Sequence, residues 1–183
     1  MLLWVYSSFK NFQNTAVKME ETVSQQWANV ESAYQRRADL IPNLVNTVKG
    51  YAKHEKETLE AVIKARASAT QVKIDANNLT PETIRQFQEA QKGLSGALSR
   101  LLLVVERYPE LKADKHFLEL QSQLEGTENR IKVERDRFNK AVNTYNTFIR
   151  QFPNSIWARI LGFQPKPYFK SEKGAEKAPK VEF

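Results

Sequence analysis

The sequence predicts an all-α protein, an antiparallel up-and-down four-helix bundle with long first and fourth helices. Apolar residues recur at alternating spacings of three and four through most of the chain, which is typical of helices that pack along one seam. The 183 residues include only six glycines and seven prolines, and long stretches contain neither. Because glycine and proline interrupt helices, these stretches favour helix, and no segment sustains the alternating pattern of a strand.

The first predicted helix runs from about residue 8 to about residue 39. Pro42 is expected to end it, because proline disfavours helix in the residue before it and fits the first turn of a new helix. A second helix would begin at Pro42, weaken or bend at Gly50, and fade around Ile74. The apolar seam residues are Phe9, Phe12, Ala16, Met19, Val23, Val30 and Ala33 in the first helix and Leu44, Val45, Val48, Ala52, Leu59, Val62 and Ile63 in the second.

Two further helices have clear start signals. Thr80 supplies a capping hydroxyl before Pro81, so a third helix should begin there and end at Pro109. Asp114 is expected to cap a fourth helix that ends near Arg150. Their seam residues are Ile84, Phe87, Leu94, Leu98, Leu101, Val105 and Tyr108, followed by Phe117, Leu124, Ile131, Phe138 and Tyr145.

Both ends of the chain are expected to lie outside the four helices. Residues 154–161 have the pattern of a short amphipathic turn, and the segment beyond Gly162, rich in Lys, Glu, Pro and Gly, is expected to be extended or mobile. At the other end, Leu2 to Tyr6 form an apolar run. This run is either a frayed helix end or the last part of a membrane helix, with a tryptophan and a tyrosine at the interfacial belt.

Composition excludes several classes of chemistry. Without cysteine, the chain has no disulfide, thiolate metal ligand or cysteine nucleophile. His54 and His116 are the only histidines, and neither belongs to a recognised zinc or catalytic spacing, so we expect no enzyme activity, metal, cofactor or small-molecule substrate. The net charge of +7 is spread along the chain and mixed with acids, which favours solvated helix faces and argues against nucleic-acid binding.

Polar residues interrupt the apolar seam at Gln26, Gln91, Thr127 and Glu134. Counting from the predicted helix ends places Gln26, Gln91 and Glu134 at a similar height, together with Thr58. A buried carboxylate without partners is costly, so Glu134 must be paired, hydrogen-bonded or at the edge of the seam. The favoured interpretation is a polar layer that sets the helix register, and the alternatives are edge exposure and a ligand or ion site.

Charged residues cluster at two places that the predicted packing brings together. One is the predicted first corner, with Arg36, Arg37 and Asp39. The other is the first half of the fourth helix, with Glu125, Glu128, Asn129, Arg130 and Arg135. Guanidinium groups that meet carboxylates there would lock the corner. The alternative is an exposed recognition patch.

Several motifs in these stretches resemble those of LemA proteins. The run QRRADLIPNLV at 35–45, followed by VKGYA at 48–52, is similar to the hallmark segment of that family. Further matches, in family order, are LEGTENRI at 124–131, Tyr145-Asn146, Ile149-Arg150, Phe152-Pro153, Gly162-Phe163 and the ending APKVEF at 178–183. The resemblance spans about residue 14 to the C-terminus. One departure is Gln13-Asn14, where the family usually has a Tyr-Asn pair.

The resemblance implies a bacterial protein with one N-terminal membrane helix and a bromodomain-like four-helix bundle, without an established enzymatic activity. Some members act in magnetosome membranes, which implies an envelope or membrane-organising role. The expected division is the end of the anchor and the start of the first helix in residues 1–13, the bundle in 14–161, and an extended tail in 162–183. The first seventeen residues hold only one basic residue, Lys10, which favours the periplasmic side for the bundle.

Two functions are consistent with these features. The first is a non-catalytic, membrane-tethered interaction module, whose partner is another membrane protein or a second copy. The second is a bundle that contacts lipid through aromatic and basic residues near its end, although the same aromatics could instead close that end. The candidate interaction and structural residues of the first are Arg36, Arg37, Asp39, Lys49, Tyr51, Glu125, Glu128, Asn129, Arg130 and Glu134. Those of the second are Trp157, Ile160, Leu161, Phe163, Tyr168 and Phe169, with Arg159, Lys166 and Lys170.

Overall fold

The structure, a computed structural model, describes residues 2–170, with side chains described from Val5 onward except at Asn77. Within that range it contains six α-helices and no strand, so the all-α prediction is confirmed. The side chains of the apolar run at residues 2–4 and the ending at 178–183 lie outside the described part. The helices are α1 (Leu2–Tyr51), α2 (Lys56–Gln71), α3 (Pro81–Val105), α4 (Pro109–Lys112), α5 (Lys115–Arg150) and α6 (Asn154–Leu161), and a turn of 3-10 helix spans Ala76–Asn78.

Helix α1 continues through Pro42, so the predicted helix end near residue 39 and the predicted new helix at Pro42 are wrong. The reason lies in packing, because Ile41, Leu44 and Val48 are fully buried in continuation of the seam before the proline. Burial of this continuous apolar stripe outweighs the ~3 kcal/mol that an interior proline costs. The chain turns only after Tyr51.

Pro42 leaves one backbone acceptor without its helical partner. In a regular helix the carbonyl of Ala38 would accept the N–H of residue 42, which proline lacks. The Nε of Arg66, on α2, donates to this carbonyl at 2.8 Å. A side chain of the neighbouring helix therefore replaces the missing donor and ties α2 to α1 at the proline.

The start signals of α3 and α5 are confirmed. Thr80 forms a capping box: its Oγ1 accepts the N–H of Thr83 at 3.1 Å, and Thr83 Oγ1 accepts the N–H of Thr80 at 3.0 Å. Asp114 Oδ1 accepts the N–H of Phe117 at 2.9 Å and so caps α5. Both caps satisfy amide groups that the first turn of a helix leaves without partners.

The ends of these helices agree with prediction less closely. α5 ends at Arg150 as expected, but α3 ends at Val105, and Pro109 begins the single turn of α4 instead of ending α3. The predicted amphipathic turn at 154–161 is helix α6. It ends at Gly162, whose φ of 76° is the left-handed conformation that glycine favours at helix C-termini.

α1 and α5 lie side by side and antiparallel over most of their length. Phe12 stacks on Phe148 with ring centroids 5.5 Å apart, and further along α1 Trp27 meets Phe138 at 5.6 Å. α2 packs between α1 and α3. The buried apolar residues form two clusters, one around the first part of α1 and the end of α5, the other around the last part of α1, α2 and α3.

Residues 163–170, which we call the C-terminal strap, have no regular secondary structure and run back along α5. Asn146 exchanges two hydrogen bonds with the backbone of Lys166, both at 2.8 Å. Asn139 does the same with Phe169, at 2.9 and 3.1 Å. Phe169 is buried in the first apolar cluster. In these eight residues of the predicted tail, the backbone is therefore bonded to side chains of α5.

The role of Arg66 predicts a measurable coupling with Pro42. Arg66→Ala should lower the free energy of unfolding by about 1–2 kcal/mol, because it leaves the buried Ala38 carbonyl without a donor. In a Pro42→Ala background the same change should cost less than about 0.5 kcal/mol, because the new N–H can reach that carbonyl. Urea denaturation of the four proteins measures both costs, with Arg100→Ala on an exposed face of α3 as control. Equal costs in the two backgrounds would refute the coupling.

Candidate functional site

The guanidinium of Arg37 is buried where three helices meet. Its Nη1 donates to Glu128 Oε1 on α5 at 2.7 Å and to Ser95 Oγ on α3 at 2.9 Å. Its Nη2 donates to the side-chain oxygen of Gln91 at 2.8 Å and to the Gln91 carbonyl at 3.3 Å. Gln91 Nε2 donates in turn to the carbonyl of Ala69, in the last turn of α2, at 3.2 Å. This Arg37 cluster therefore joins α1 to α3 and α5 directly, and to α2 through Gln91.

The ring of Tyr34 covers the guanidinium. Arg37 Cζ lies 5.2 Å from the ring centroid, within range of a cation–π contact. Burial raises the pKa of the Tyr34 phenol, although the nearby Arg135 and Arg37 oppose this shift. The hydroxyl is therefore protonated at neutral pH and provides no phenolate base beside the cluster.

The predicted contact between Arg37 and Glu128 is present, but it does not lie at a corner. Because α1 continues to Tyr51, the pair joins the interior of α1 to α5. Arg37 itself is only 2% exposed, so it is no part of a recognition patch. The structure thus supports the structural interpretation of this residue and moves it from the end of a helix to its interior.

The first corner, after Tyr51, is held by other side chains. The Tyr51 hydroxyl donates to Asp114 Oδ2 at 2.8 Å, and Arg107 donates to Glu55 at 3.0 Å. The Phe117 N–H and the Tyr51 hydroxyl hold the pKa of Asp114 below its usual range, and the same carboxylate raises the pKa of Tyr51. Tyr51, predicted as a contact residue, therefore ties the end of α1 to the start of α5.

The carboxylate of Glu134 is fully buried, so the edge-exposure interpretation is wrong. Its Oε1 accepts from two arginines of its own helix, Arg130 Nε at 2.7 Å and Arg137 Nη1 at 3.1 Å. Its Oε2 is buried without a hydrogen-bond partner among the described residues. Both guanidiniums are more than half exposed, so the ion pairs extend from the buried oxygen to the surface.

The predicted polar layer is not formed by hydrogen bonds between its members. Gln91 bonds to Arg37 and to α2. Thr127 Oγ1 donates at 2.7 Å to a carbonyl of its own helix, and Gln26 accepts from a neighbour on α1. Thr58 is half-buried on α2. The hydrogen bonds of these residues therefore stay within one helix or run through Arg37 and α2, and one oxygen of Glu134 has no described partner.

Arg36 and Arg130 are exposed on the two walls of a groove between α1 and α5. The groove has a volume of about 470 Å³. Its lining residues are Asn29, Ser32, Ala33, Arg36, Gln123, Gly126, Thr127 and Arg130. Two cations above a lining of small and amide-bearing side chains make a surface that suits an anionic group.

The remaining predicted residues are exposed and do not converge on one point. Asp39 accepts at 2.7 Å, and Glu125 at 3.3 Å, from glutamines one turn earlier on their own helices. Lys49 and Asn129 are exposed on α1 and α5. These four residues form the solvated faces of the two longest helices.

The aromatic residues predicted to contact lipid mostly pack against the start of α1 and the end of α5. Phe169 is buried, and Trp157 donates to Ser8 Oγ at 3.3 Å while its ring meets Phe9 edge-on at 5.5 Å. Lys166 pairs with Glu20 at 2.7 Å. Half-buried residues that pack on the same cluster are Leu161 and Phe163. Those that remain exposed are Arg159, Ile160, Tyr168 and Lys170.

Sequence reasoning missed the side chains that satisfy buried backbone carbonyls. Arg66 and Gln91 do so at Pro42 and at the end of α2, and Trp27 Nε1 donates to the Ile74 carbonyl at 3.3 Å. A polar atom on the apolar seam is the signal that could have drawn attention to Gln91 and Trp27. Their acceptors lie 22 and 47 residues away, so the sequence gives no indication of which carbonyl each one reaches.

Within the described range, no group of three or more His, Asp or Glu side chains is placed to hold a metal ion. None of the helices described here has a stretch both long and apolar enough to cross a bilayer.

Comparison with known proteins assigns the family. The model of the LemA family matches residues 26–183. The chain belongs to the LemA family. The matched region contains Arg36, Arg37, Glu128 and Arg130, so both the Arg37 cluster and the groove lie within the part that defines this LemA-family chain.

The relatives include magnetosome proteins. The chain is 28% identical over 187 residues to magnetosome protein MamQ 2 of Paramagnetospirillum magneticum, covering 91% of this chain and 67% of the relative. It is 27% identical, with the same coverage, to magnetosome protein MamQ of Magnetospirillum gryphiswaldense. Protein LemA of Metamycoplasma hominis is 22% identical over 156 residues, or 85% of this chain and 68% of the relative.

The Arg37 cluster predicts that substitution of Arg37 lowers the stability of the protein much more than substitution of its partner Glu128. Arg37→Ala should lower the free energy of unfolding by about 3 kcal/mol, because buried acceptors on α3 lose their donor. Arg37→Lys should recover little of this, since an ammonium cannot reproduce the fork. Glu128→Gln should cost less than about 1 kcal/mol, because the Glu128 side chain is 53% exposed. Urea denaturation measures each value, with Arg36→Ala as the matched surface control. Wild-type stability of Arg37→Lys would contradict this account.

At Glu134, the buried carboxylate predicts that substitution does not destabilise the protein, in contrast to substitution of Arg37. Glu134→Leu should leave the melting temperature unchanged or raise it, because leucine removes a half-satisfied buried charge and the two arginines remain solvated. Calorimetry measures the midpoint, and amide chemical-shift dispersion shows whether one packing arrangement persists. A variant with a lowered midpoint or several packing arrangements would show that the carboxylate specifies the fold.

Proposed function

We propose that this LemA-family chain is the folded part of a non-catalytic, membrane-tethered interaction protein of the bacterial envelope. A single membrane helix before α1 would hold it at the bilayer, with the helices on the periplasmic side. Its partner would be an acidic segment of another membrane protein, or of a second copy. We also propose that α1, α2, α3 and α5 form an antiparallel four-helix bundle of the bromodomain-like kind, within the limits 14–161.

The groove between α1 and α5 is the observation that carries this proposal. Arg36 and Arg130 present exposed guanidiniums on its two walls. Arg36 can bind a carboxylate with two hydrogen bonds, whereas Arg130 has its Nε bonded to Glu134 and offers its two Nη groups. Arg37, one residue further along α1, is held inside the cluster. Neighbouring arginines thus have separate tasks, one in recognition and one in helix packing.

The polar groups of this chain favour binding over catalysis. His54 and His116 are both exposed near helix ends. The buried charges, Arg37 and Glu134, are held in ion pairs that support helix packing. General acid–base or nucleophilic chemistry needs a group poised to act on a substrate, and these residues are committed elsewhere.

Two relatives support a role at a membrane. They are named as magnetosome proteins, and their similarity to this chain extends over nine-tenths of its length. A tether confines a protein to the bilayer surface, where a weak contact becomes effective through high local concentration. A shallow groove with two cations is the kind of site for which such confinement matters.

Photo-crosslinking in bacterial membranes that contain the complete protein tests this function. A benzophenone amino acid placed at Ser32 or Gln123, in the groove, should yield one or two defined membrane-protein adducts, or a dimer. The same probe at Lys64 on α2 should not yield them. Arg36→Glu should abolish the groove adducts by repelling an acidic partner.

The matched control for this charge reversal is Arg100→Glu, on an exposed face of α3, which should leave the adducts unchanged. Circular dichroism of each variant confirms that the fold is retained. If groove and control positions give the same adducts, or if Arg36→Glu has no effect, the groove is not the interaction surface.

A further inference from the structure

Among the described residues, one end of the molecule is formed by two segments that carry basic but no acidic side chains. Residues 2–19 and 137–170 contain no aspartate or glutamate, and every acidic residue of the described range lies between Glu20 and Asp136. The fold brings the two acid-free segments together, because the start of α1 packs against the end of α5 and against α6. We call this the α6 end, and its exposed cations include Lys10, Arg150 and Arg159.

The same end exposes large apolar side chains. Ile156 and Ile160 are 50% and 65% exposed and lie four residues apart, so they share the outer face of α6. Phe152, just before α6, is 83% exposed. The inner face of this helix is occupied, since Ala158 is buried and Trp157 contacts α1. Within the described part of the chain, α6 therefore has an inner face in contact with α1 and an exposed apolar outer face.

The position of α6 along α1 matches the depth of a membrane interface. Trp157 contacts Ser8 and Phe9, which lie about 10 Å along the helix axis from Leu2. The headgroup region on each side of a bilayer is about 5–8 Å thick. If the apolar run at residues 2–6 reaches the edge of the hydrocarbon, α6 lies at the level of the headgroups.

We infer that the α6 end rests on an anionic lipid surface, with Phe152, Ile156 and Ile160 inserted among the headgroups and Lys10, Arg150 and Arg159 against lipid phosphates. This inference rests on the proposed tether, which brings that end to the bilayer. α6 is then an interfacial helix that fixes the orientation of the fold and holds the α1–α5 groove at a defined height above the membrane.

The charge of the α6 end favours a lipid surface over a second copy of the chain as its binding partner. Two α6 ends in contact would place like charges together, since residues 2–19 and 137–170, which form each end in the described part of the chain, contain no acid. An anionic bilayer supplies negative charge and an apolar phase within a few ångströms of each other. Apolar residues flanked by arginine and lysine are typical of segments that lie in this interface.

Co-sedimentation of the chain with vesicles tests the inference. Vesicles of phosphatidylglycerol and phosphatidylcholine in equal parts should bind it at low salt, and pure phosphatidylcholine vesicles should bind it much more weakly. Ile156→Ser with Ile160→Ser should lower the partition coefficient about tenfold or more. Arg150→Gln and Arg159→Gln should each lower it about fivefold on the anionic vesicles only.

Matched controls come from the opposite end of the molecule. Leu103→Ser with Leu118→Ser removes two exposed apolar side chains there, and Arg100→Gln removes one exposed charge. These variants should partition like the unaltered chain. Because the chain has no cysteine, Ile160→Cys also accepts an environment-sensitive fluorophore, whose emission should shift to the blue on anionic vesicles, whereas a label at Leu103→Cys should not shift.

The outcomes separate this inference from the proposed tether. Undiminished vesicle binding after the double isoleucine change would overturn the role of α6 while leaving the tether intact. No binding to anionic vesicles at low salt would likewise overturn it. A lipid-free dimer that the isoleucine changes dissociate would assign the face to a second copy. Loss of the groove adducts in membranes, with vesicle binding intact, would count against the proposed function alone.

Discussion

The packing of this protein depends on one buried cation. Arg37 has its guanidinium almost wholly removed from water, which is costly unless every side of it is matched. Glu128, Ser95 and Gln91 supply oxygen acceptors from two helices, and the ring of Tyr34 covers its face. Because α2 is reached through Gln91, the four long helices meet in one connected set of hydrogen bonds. Among the described residues, only the Nε of this guanidinium is buried without a partner. Buried networks of this kind favour one arrangement of helices among many that hydrophobic burial alone would allow.

Other polar side chains of the core donate hydrogen bonds to backbone carbonyls that have no donor within their own helix. Arg66 serves the carbonyl freed by Pro42, and Trp27 serves the Ile74 carbonyl beyond the end of α2. The strap is held by the same chemistry, with Asn139 and Asn146 each bonding an N–H and a carbonyl of one strap residue. Most polar side chains on the seam are therefore bonded within the packed helices, and the recognition that we propose would use surface residues.

Buried and exposed charged residues are also clearly divided in this LemA-family protein. Arg36 and Arg37 are neighbours in sequence, but helical geometry turns one to solvent and the other to the core. Acidic residues are absent from the two segments that meet at the α6 end, whereas the groove lies further along α1 and α5. A cationic, apolar end and a lateral groove would give the tethered protein that we propose one surface for the bilayer and another for a partner.

The sequence by itself determined the features that depend on neighbouring residues. The caps at Thr80 and Asp114, the end of α5 at Arg150, helix α6 and the all-α class follow from local hydrogen bonding and from the spacing of apolar residues. The family motifs likewise lie in contiguous runs, which the match over residues 26–183 bears out. Only the tertiary structure decided whether α1 ends at Pro42, because the answer depends on burial of Ile41 and Leu44 and on a donor from Arg66. It also decided the partners of Arg37 and Glu134, since periodicity places a residue on a face but does not say which atoms of another helix lie opposite.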